Sequence, residues 1–470
     1  MRWAALPPII LIALLPSLGH ATEALVPGLQ RAEEDVVEPY PLKTGEVIEY
    51  QNLHKLKGYI PSPFWEHREY FFFEGMQLRI GALHSDYSPS DLRKQVTGKY
   101  GRYARIGRDE RGDGWLDFYF LGTPFSEIDP NDPDAGFKIA WNARHRHDPM
   151  EGGAHFRLAS WERPGQTTPS FAYVGYVWGI RLAHRTDKAD ARGKYFQDEK
   201  REAAGRIRLD MPVDLRSLAA VGYRYLGADS EPLADQIRDA WVWLPSLRRV
   251  RRIPGSSEEE EAIPGTQFMI QDIDGFNFAS GLTQKFEFKL MGEAEVLSPV
   301  DTTVEAYPHA EFPNLGPSGF SFANDTWQLR DTWILWIRKR AKTPAYSKKL
   351  LWIDKQTYMP LYAASYDRKG ELWRLIYLVH RWSESSSHRK VVSSCNGKGD
   401  HRGHFARESP LAHPEVEGGE RYLYTVGHVA VNVRNGKGSR IEAWDAHATH
   451  LRDKDIRRNL DSNRLVIGAR

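Results

Sequence analysis

Histidines at short spacing are the side chains of this 470-residue chain that could bind a metal ion. The string RHRHD contains His145, His147 and Asp148, and the string HRGH contains His401 and His404. Alternating histidines on one strand could share a zinc ion. Neither string fixes a third ligand by its spacing, so incidental histidines explain both strings better than a metal centre does. We therefore predict no metal ion and no other cofactor.

The acidic residues offer no catalytic motif either. Asp272 and Asp274 in QDIDGF could bind calcium, but a calcium loop of the EF-hand type needs more oxygen ligands and a distal glutamate. A turn whose aspartates accept hydrogen bonds from neighbouring amides explains this string better. The sequence contains no G-x-S-x-G elbow, no phosphate-binding glycine loop and no H-E-x-x-H motif. We therefore predict no catalytic residues and no enzymatic activity.

One stretch, DAWVWLPSLRRVRRIPG, combines paired aromatics with a run of cations. Trp241 and Trp243 share one face if the stretch is a strand, because side chains at i and i+2 do. We expect a hairpin that turns at Pro245–Ser246, with arginines on the opposite face and at the rim of the sheet, where they could meet an anionic headgroup or a partner. A purely structural hairpin with solvated arginines explains the stretch equally well. The arginines are Arg248, Arg249, Arg251 and Arg252.

Composition favours a β-rich protein with broad apolar faces. Aromatic residues make up 12% of the chain, and aromatic residues favour strands. From about Phe171 onward, apolar and aromatic segments such as FAYVGYVWGIRLAHR and ELWRLIYLVHRW follow one another after short turns. We therefore predict a mainly β fold of the α+β class, with neighbouring antiparallel strands whose aromatics line one face. The net charge is only +2, so we predict no nucleic-acid partner.

The aromatic side chains of these strands are the candidate ligand-binding residues. The chain has more aromatic rings than one simple sheet face can carry. These rings must be buried either in the core or against a ligand. Ordinary core packing is at least as good an explanation for each ring taken alone. The candidates are Trp241, Trp243, Phe286, Phe288, Trp333, Trp336 and Trp352.

The N-terminus has the layout of a secretory signal peptide. Arg2 precedes an apolar run from about Trp3 to Leu18, and small residues end at Ala21, where we expect cleavage. We therefore expect the mature protein in the periplasm. Cys395 is the single cysteine of the sequence, so no intrachain disulfide can form.

Four segments resemble an uncharacterised secreted bacterial family, a domain of unknown function related to the lipoprotein carrier LolA and to other outer-membrane lipoprotein-sorting proteins. The segments are WVWLPSLRRVRRIPG, GTPFSEIDPNDPDAGFKIAWN, MIQDIDGFNF and KKLLWIDKQTYMPLYAASYDRKGELWRL. The resemblance spans about residues 122–382. Its matching residues include Gly122, Pro124, Phe125, Gly136, Trp141, Asn142, Asp354, Tyr358, Tyr366, Asp367, Gly370 and Trp373.

The resemblance implies a LolA-like fold, which is a large curved antiparallel sheet or incomplete β-barrel closed by helices and loops. Together with the composition, it divides the chain into four parts. These are a signal peptide at 1–21, a LolA-like curved-sheet domain with an N-terminal extension at 22–382, a flexible polar linker or loop at 383–419, and a C-terminal strand and charged tail at 420–470 that pack on the main domain.

The resemblance also implies a function. Relatives bind acyl chains or other apolar molecules on the concave side of the sheet, and family members are often encoded beside transporters of the RND type. We therefore expect a periplasmic carrier or chaperone that binds a lipid, acyl chain or other apolar ligand for transfer to or from the outer membrane. An RND-type inner-membrane transporter and an outer-membrane component are the expected partners. The alternatives are a secreted hydrolase acting on envelope lipid or glycan, and a structural envelope or transporter accessory protein.

Overall fold

The computed structural model describes residues 39–466 apart from internal gaps. Pro39–Arg470 groups into one compact unit. Within the residues that are described, no helix is both long enough and apolar enough to cross a membrane. The predicted signal peptide and nearly all of the predicted polar linker lie outside the described residues, so the four-part division stays a prediction. The gaps are 109, 111–113, 120, 147–150, 164, 167, 192, 200, 212–214, 223–236, 245–247, 255–258, 260, 264, 279–285, 303–315, 385–420 and 449–450.

Strands make up most of the regular structure, as the β-branched and aromatic side chains of these segments favour. The strands are β1 (Val47–Glu49), β2 (Gln77–Ile80), β3 (Arg105–Arg108), β4 (Gly114–Asp117), β5 (Glu151–Trp161), β6 (Phe171–Arg181), β7 (Arg201–Met211), β8 (Leu215–Gly222), β9 (Ile237–Leu244), β10 (Arg249–Pro254), β11 (Phe286–Ser298), β12 (Thr326–Lys339), β13 (Lys348–Asp354), β14 (Pro360–Tyr366), β15 (Leu372–Trp382), β16 (Leu423–Asn432) and β17 (Lys437–Ala448). The α-helices are α1 (Ser62–Glu66), α2 (Asp91–Tyr100), α3 (Ala135–Arg144) and α4 (Asp453–Asn459). Short 3-10 helices include Tyr50–Leu56, Arg68–Tyr70, Gly101–Tyr103, Thr186–Ala191, Ile270–Asp272 and Ser462–Val466.

Fifteen strands form one large sheet. Their order is β1-β2-β12-β13-β14-β15-β16-β17-β5-β6-β7-β8-β9-β10, and β11 also pairs with β12. The pairs are antiparallel except for β2 with β12. Across the described part of the chain β10 does not pair with β1, so the sheet is not closed. This architecture confirms the prediction of a mainly β fold built on a large, open, antiparallel sheet.

The C-terminal part of the chain joins the two halves of this sheet. β16 pairs with β15 and β17 pairs with β5, so both strands lie in the middle of the strand order. The last strands of the chain therefore belong to the main sheet.

The two faces of the sheet are covered by different segments. We name one of them the Tyr377 face. Tyr362 pairs directly with Tyr377, and directly paired residues lie on the same face, so Tyr362 belongs to it as well. Phe64 of α1 packs on Tyr362 with ring centroids 4.8 Å apart, and Phe71 packs on Tyr377 at 5.3 Å. The segment around α1 thus forms a core with this half of the sheet.

We name the other side the Asp272 face, because the buried Asp272 packs against it. It includes Lys349, which donates a hydrogen bond to Asp272 at 2.6 Å. It also includes His428, whose ring lies 4.5 Å from the Phe268 ring. The segment 261–278 and helix α3 therefore cover this face where β11–β16 form it.

The strand pairing shows which residues belong to each of the two faces in the rest of the sheet. Tyr377 pairs with Val429, and Val429 pairs with Arg440. The same alternation places Trp178 and Trp241 on the Tyr377 face of β6 and β9. There the C-terminal segment covers the face, through the side chains of Ile456, Leu460 and Leu465.

Candidate functional site

The predicted ligand-binding rings do not share one face of the sheet. Trp333 and Trp336 lie three residues apart in β12 with no register shift between them, so their side chains leave the strand on opposite faces. The expectation that the strand aromatics line one face is therefore wrong, because both faces of this half of the sheet are packed. The Asp272 face carries Phe286, Phe288 and Trp333, and the Tyr377 face carries Trp241, Trp243, Trp336 and Trp352.

These rings pack mostly against other parts of the protein. Trp243 packs with Leu465 of the C-terminal segment, and Phe286 meets Phe276 edge-on with centroids 5.0 Å apart. Trp241 is only partly buried. Ligand contact by any of these rings stays a prediction. The buried rings are Trp243, Phe286, Phe288, Trp333, Trp336 and Trp352, all at most 9% exposed.

The predicted rim arginines lie at one end of the strand order. β9 and β10 pair as neighbouring antiparallel strands, whereas the predicted turn residues Pro245 and Ser246 lie outside the described residues. Arg251 pairs with Val242 on the Asp272 face, whereas Arg252 pairs with Trp241 on the Tyr377 face. The cations therefore lie on both faces, and not only opposite the tryptophans. The exposed residues are Arg248, Arg249, Arg251 and Arg252.

A row of small residues crosses the Asp272 face over six neighbouring strands. We call it the small-residue row. A Cβ atom built on Gly179 would meet one described atom within 4 Å, the carbonyl oxygen of Ala204 at 3.9 Å. Space therefore remains above the backbone at Gly179. Its members, in cross-strand order from β17 through β5 to β9, are Ala448, Gly152, Gly179, Gly205, Ala219 and Ala240.

A second row runs beside the first on the same face, and it is mostly apolar. Its residues on β6, β7 and β9 are only partly buried. On the opposite face of β6, by contrast, Trp178 is 0% exposed and Ile180 is 3% exposed. We call the two rows together the apolar trough. The second row consists of Ala154, Val177, Ile207, Ser217 and Val242, and it ends at Arg251.

Sequence reasoning missed this trough because it searched for bulky rings. The available signal was the repeated occurrence of glycine and alanine inside strands, in the strings EGGAH, VWGI, AAGRI and LAAVG. Glycine inside a strand often marks a place where another molecule or backbone comes close.

A buried ion cluster lies on the Asp272 face of β13 and β15. Asp272 accepts hydrogen bonds from Lys349 Nζ at 2.6 Å and from Tyr346 Oη at 2.8 Å. Arg374 Nη1 lies 3.6 Å from the same carboxylate. Burial alone would raise the pKa of Asp272, but the charges of Lys349 and Arg374 and the hydrogen bonds outweigh it and lower the pKa. The Met269 amide also donates to Asp272 at 3.1 Å, as expected of an aspartate in this turn.

Two further titratable groups are buried in the adjoining strands. His380 of β15 and His428 of β16 are at most 5% exposed. Neither ring nitrogen of His380 has a hydrogen-bond partner among the described residues. Burial lowers the pKa of His380 to about 3 and the pKa of His428 to about 4. Both imidazoles are therefore neutral in the folded protein at neutral pH.

Replacing His380 with leucine should make the protein less sensitive to acid. The pKa of the folded state lies below the ordinary value of about 6.5, so the unfolded chain takes up the proton first as pH falls. Stability from the buried neutral ring is therefore fully present above about pH 6.5 and falls by up to about 1.4 kcal/mol per pH unit below it. Urea unfolding between pH 7 and pH 4.5 should show a shallower loss in His380→Leu than in the wild type. The same change at the exposed His54 is the control, and equal pH slopes in His380→Leu and wild type would contradict the interpretation.

The histidines considered for metal binding do not form a described metal centre. His145 is buried, and its ring stacks on Trp141 with centroids 5.7 Å apart. Elsewhere, His84 Nε2 lies 3.2 Å from Glu295 and His84 Nδ1 lies 3.3 Å from Asp331. One His84 ring nitrogen and one oxygen of each carboxylate lie within 4.8 Å of one another, so these three exposed residues could hold a metal ion, although exposed acidic groups commonly cluster without one. The other candidates, His147, Asp148, His401 and His404, lie outside the described residues.

Several of the motif residues in the sequence resemblance have structural roles. Asn142 of α3 exchanges two hydrogen bonds with the Phe125 backbone, at 2.9 and 2.6 Å. A Cβ atom on Gly136 would lie 2.7 Å from the Leu290 amide nitrogen, so glycine lets α3 approach β11 closely. The Asp354 carboxylate accepts from the Thr357 amide at 2.7 Å and so holds the turn between β13 and β14.

Comparison with known proteins places these observations in a family. The family described as "Protein of unknown function (DUF1329)" matches residues 73–401. Uncharacterized protein PA3922 of Pseudomonas aeruginosa is 25% identical over 276 residues, an alignment that covers 57% of this chain and 54% of that protein. The aligned region thus spans about half the length of this curated relative.

Two solved structures are similar with low scores. A DUF1329 family protein from Desulfovibrio piger has a TM-score of 0.40 and 17% identity, covering 72% of this chain and 100% of that one. A LolA superfamily protein from Nitrosomonas europaea has a TM-score of 0.34 and 12% identity, covering 68% of this chain and 96% of that one.

The family match extends over more than half of the chain and contains the α3 motif, the Asp272 segment and the β13–β15 hairpins. It confirms that the sequence motifs belong to a family of unknown function. The chain is a member of the DUF1329 family.

Proposed function

We propose that this protein is a non-enzymatic carrier that binds the acyl chain of a lipid along the apolar trough. The observation that carries the proposal is the small-residue row, which crosses the Asp272 face from β17 to β9 and leaves space above the backbone at Gly179. Neighbouring strands lie about 4.8 Å apart, so six strands span about 24 Å, the scale of a long acyl chain.

The chemistry of the trough suits an occupant without polar groups. Backbone amides and carbonyls in these strands are already paired within the sheet, so an acyl chain costs no hydrogen bond. Each buried methylene contributes about 0.8 kcal/mol, so ten carbons supply about 8 kcal/mol before the costs of association. That gross energy allows useful affinity even after losses of several kcal/mol.

The end of the trough suits the head of a lipid. The second row ends at Arg251, which pairs with Val242 and is exposed. A guanidinium there would pair with a phosphate or carboxylate headgroup. Among the predicted ligand-binding rings, Phe286, Phe288 and Trp333 share this face and remain candidates for ligand contact.

The cellular part of the proposal rests on the sequence. The predicted N-terminal signal peptide and the resemblance to lipoprotein-sorting proteins support a periplasmic carrier that delivers its ligand to or from the outer membrane. An RND-type transporter and an outer-membrane component are the partners we propose.

Native mass spectrometry of the purified protein with palmitate tests the binding function. We expect one palmitate per chain, retained at low activation energy, and co-purified lipid in protein isolated from a bacterial envelope. A protein that stays free of adducts and instead hydrolyses an ester substrate panel would contradict the carrier proposal and support a secreted hydrolase.

A further inference from the structure

Exposed rings and cations lie together at the end of α2 and on the small sheet formed by β3 and β4. This two-stranded sheet is separate from the fifteen-stranded sheet. Arg105 of β3 pairs with Asp117 of β4, Phe118 directly follows β4, and Tyr103 lies two residues before Arg105, so these residues are neighbours on the surface. We call the set the aromatic-basic patch, and its members, all exposed, are Lys99, Arg102, Tyr103, Arg105 and Phe118.

The rings of the patch expose unusually large apolar surface. Phe118 is 66% exposed, more than any other large hydrophobic residue that the structure describes, and Tyr103 is 49% exposed. Phe118 also has a backbone φ of +51°, a conformation that glycine or asparagine adopts with less strain than a phenylalanine. Because neither the strain nor the exposed ring helps this turn, contact with another surface explains the phenylalanine better.

The cations of the patch lie over rings and are not neutralised by acids. Among the described residues, no carboxylate forms an ion pair with Lys99, Arg102 or Arg105. The guanidinium of Arg102 lies 4.9 Å from the centre of the Tyr103 ring, and that of Arg105 lies 5.7 Å from the centre of the Phe118 ring. A ring orients a cation without removing its charge, so the patch can attract an anionic partner.

Helix α3 fixes the small sheet on the face of the molecule that carries the apolar trough. A Cβ atom on Gly114 of β4 would lie 2.9 Å from the Phe137 ring of α3, so glycine lets β4 pack closely on this helix. Arg108 of β3 pairs with Asp134, which directly precedes α3. Because α3 covers the Asp272 face, the patch and the trough belong to the same face of the main sheet.

We propose that the aromatic-basic patch binds the surface of an anionic lipid bilayer. Aromatic side chains favour the headgroup level of a membrane, and lysine and arginine are attracted to anionic headgroups. A bilayer surface uses both kinds of side chain at once, whereas a purely acidic partner uses only the cations and leaves the Phe118 ring exposed. This contact goes beyond the proposed carrier function and does not depend on acyl-chain binding in the trough.

Co-flotation of the purified protein with phospholipid vesicles tests this proposal. Vesicles that contain phosphatidylglycerol should bind at least about tenfold more tightly than vesicles of phosphatidylcholine alone, because several cations near an anionic surface give such a preference. Added salt should weaken the binding, since it screens exposed charges. Equal binding to both vesicles, or binding to neither, would overturn the proposal.

A matched pair of double variants locates the membrane contact. Lys99→Gln with Tyr103→Ala should weaken binding to the phosphatidylglycerol vesicles about tenfold, whereas Lys57→Gln with Tyr50→Ala should change it by at most about twofold. Tyr103 and Tyr50 both lie in 3-10 helices and are 49% and 43% exposed, and both lysines are exposed. Each double variant therefore loses one exposed ring and one exposed cation, and equal weakening in the two would contradict the patch as the contact.

A further variant separates membrane binding from folding. Phe118→Asn removes the exposed ring and places at this φ a residue that adopts it more readily, so thermal stability should stay equal or rise. Vesicle binding should nevertheless fall about tenfold, because the apolar ring is lost. A variant that loses stability but binds vesicles normally would show that the ring serves the fold and would refute the proposal. Self-association of the wild type without vesicles, lost in the Lys99→Gln with Tyr103→Ala variant, would assign the patch to a second copy of the chain instead.

Discussion

Replacing Asp272 with asparagine should lower the free energy of unfolding by about 3–5 kcal/mol, because a buried charge left without its partner is strongly destabilising. The side chains of Lys349 and Arg374 are 3% and 7% exposed, and both lie against the carboxylate. Asparagine keeps the shape of the side chain but removes the negative charge between the two cations. Urea unfolding at pH 7 measures the effect.

The pH dependence of this loss identifies its cause. Burial already lowers the pKa of Lys349, and removing Asp272 takes away the nearby charge that favours its protonated form. The ammonium of Lys349 can then lose its proton as pH rises, which relieves the buried charge. The destabilisation of Asp272→Asn should therefore be smaller at pH 9 than at pH 7.

A surface ion pair provides the matched control. Asp198 pairs with Arg457 at 3.0 Å, but its side chain is 70% exposed. Asp198→Asn should change the free energy of unfolding by at most about 1 kcal/mol. If Asp272→Asn were as mild as Asp198→Asn, the Asp272 cluster would not hold the 261–278 segment on the sheet.

Filling the apolar trough should abolish most of its affinity for acyl chains. Gly179→Trp places an indole over the small-residue row, where a Cβ atom meets only the Ala204 carbonyl oxygen at 3.9 Å among the described atoms. Loss of contact with about four methylenes corresponds to about 3 kcal/mol, or roughly a hundredfold in affinity. Displacement of a fluorescent fatty acid measures the change.

The same substitution at another open glycine controls for the added ring. Gly98 of α2 is exposed, and a Cβ atom there meets no described atom within 4 Å. Gly98→Trp should leave fatty-acid affinity unchanged within about twofold, whereas unchanged affinity in Gly179→Trp would place the ligand elsewhere. Thermal unfolding of both variants checks that neither substitution disrupts the fold.

Local sequence patterns predicted much of the secondary structure. The string FAYVGYVWGIRLAHR contains β6, and the string ELWRLIYLVHRW contains β15. The faces could not be read in the same way, because β12–β15 are buried on both sides at most positions and many of their polar residues are buried as well. Alternation distinguishes two faces only where one of them meets water.

The apolar trough depends on long-range pairing, which no local pattern fixes. Gly152, Gly179 and Gly205 lie in three different strands and align only through the pairing register. The pairing of β6 with β7 includes a register shift opposite Val174 and Gly175, where β7 has one extra residue, and a one-residue slip exchanges the two faces of a strand. The bulky rings were visible in the sequence, whereas the alignment of small residues was not.

The most direct test of the acyl-chain proposal is photo-crosslinking with a palmitate analogue that carries a diazirine on its chain, followed by peptide mapping. The proposal predicts crosslinks to Val177, Ile207 and Val242, which lie on the Asp272 face of three different strands. Unlabelled palmitate should compete for these crosslinks. Crosslinks confined to the opposite face, at Trp241 and the C-terminal segment, or spread evenly over the surface would contradict the proposal.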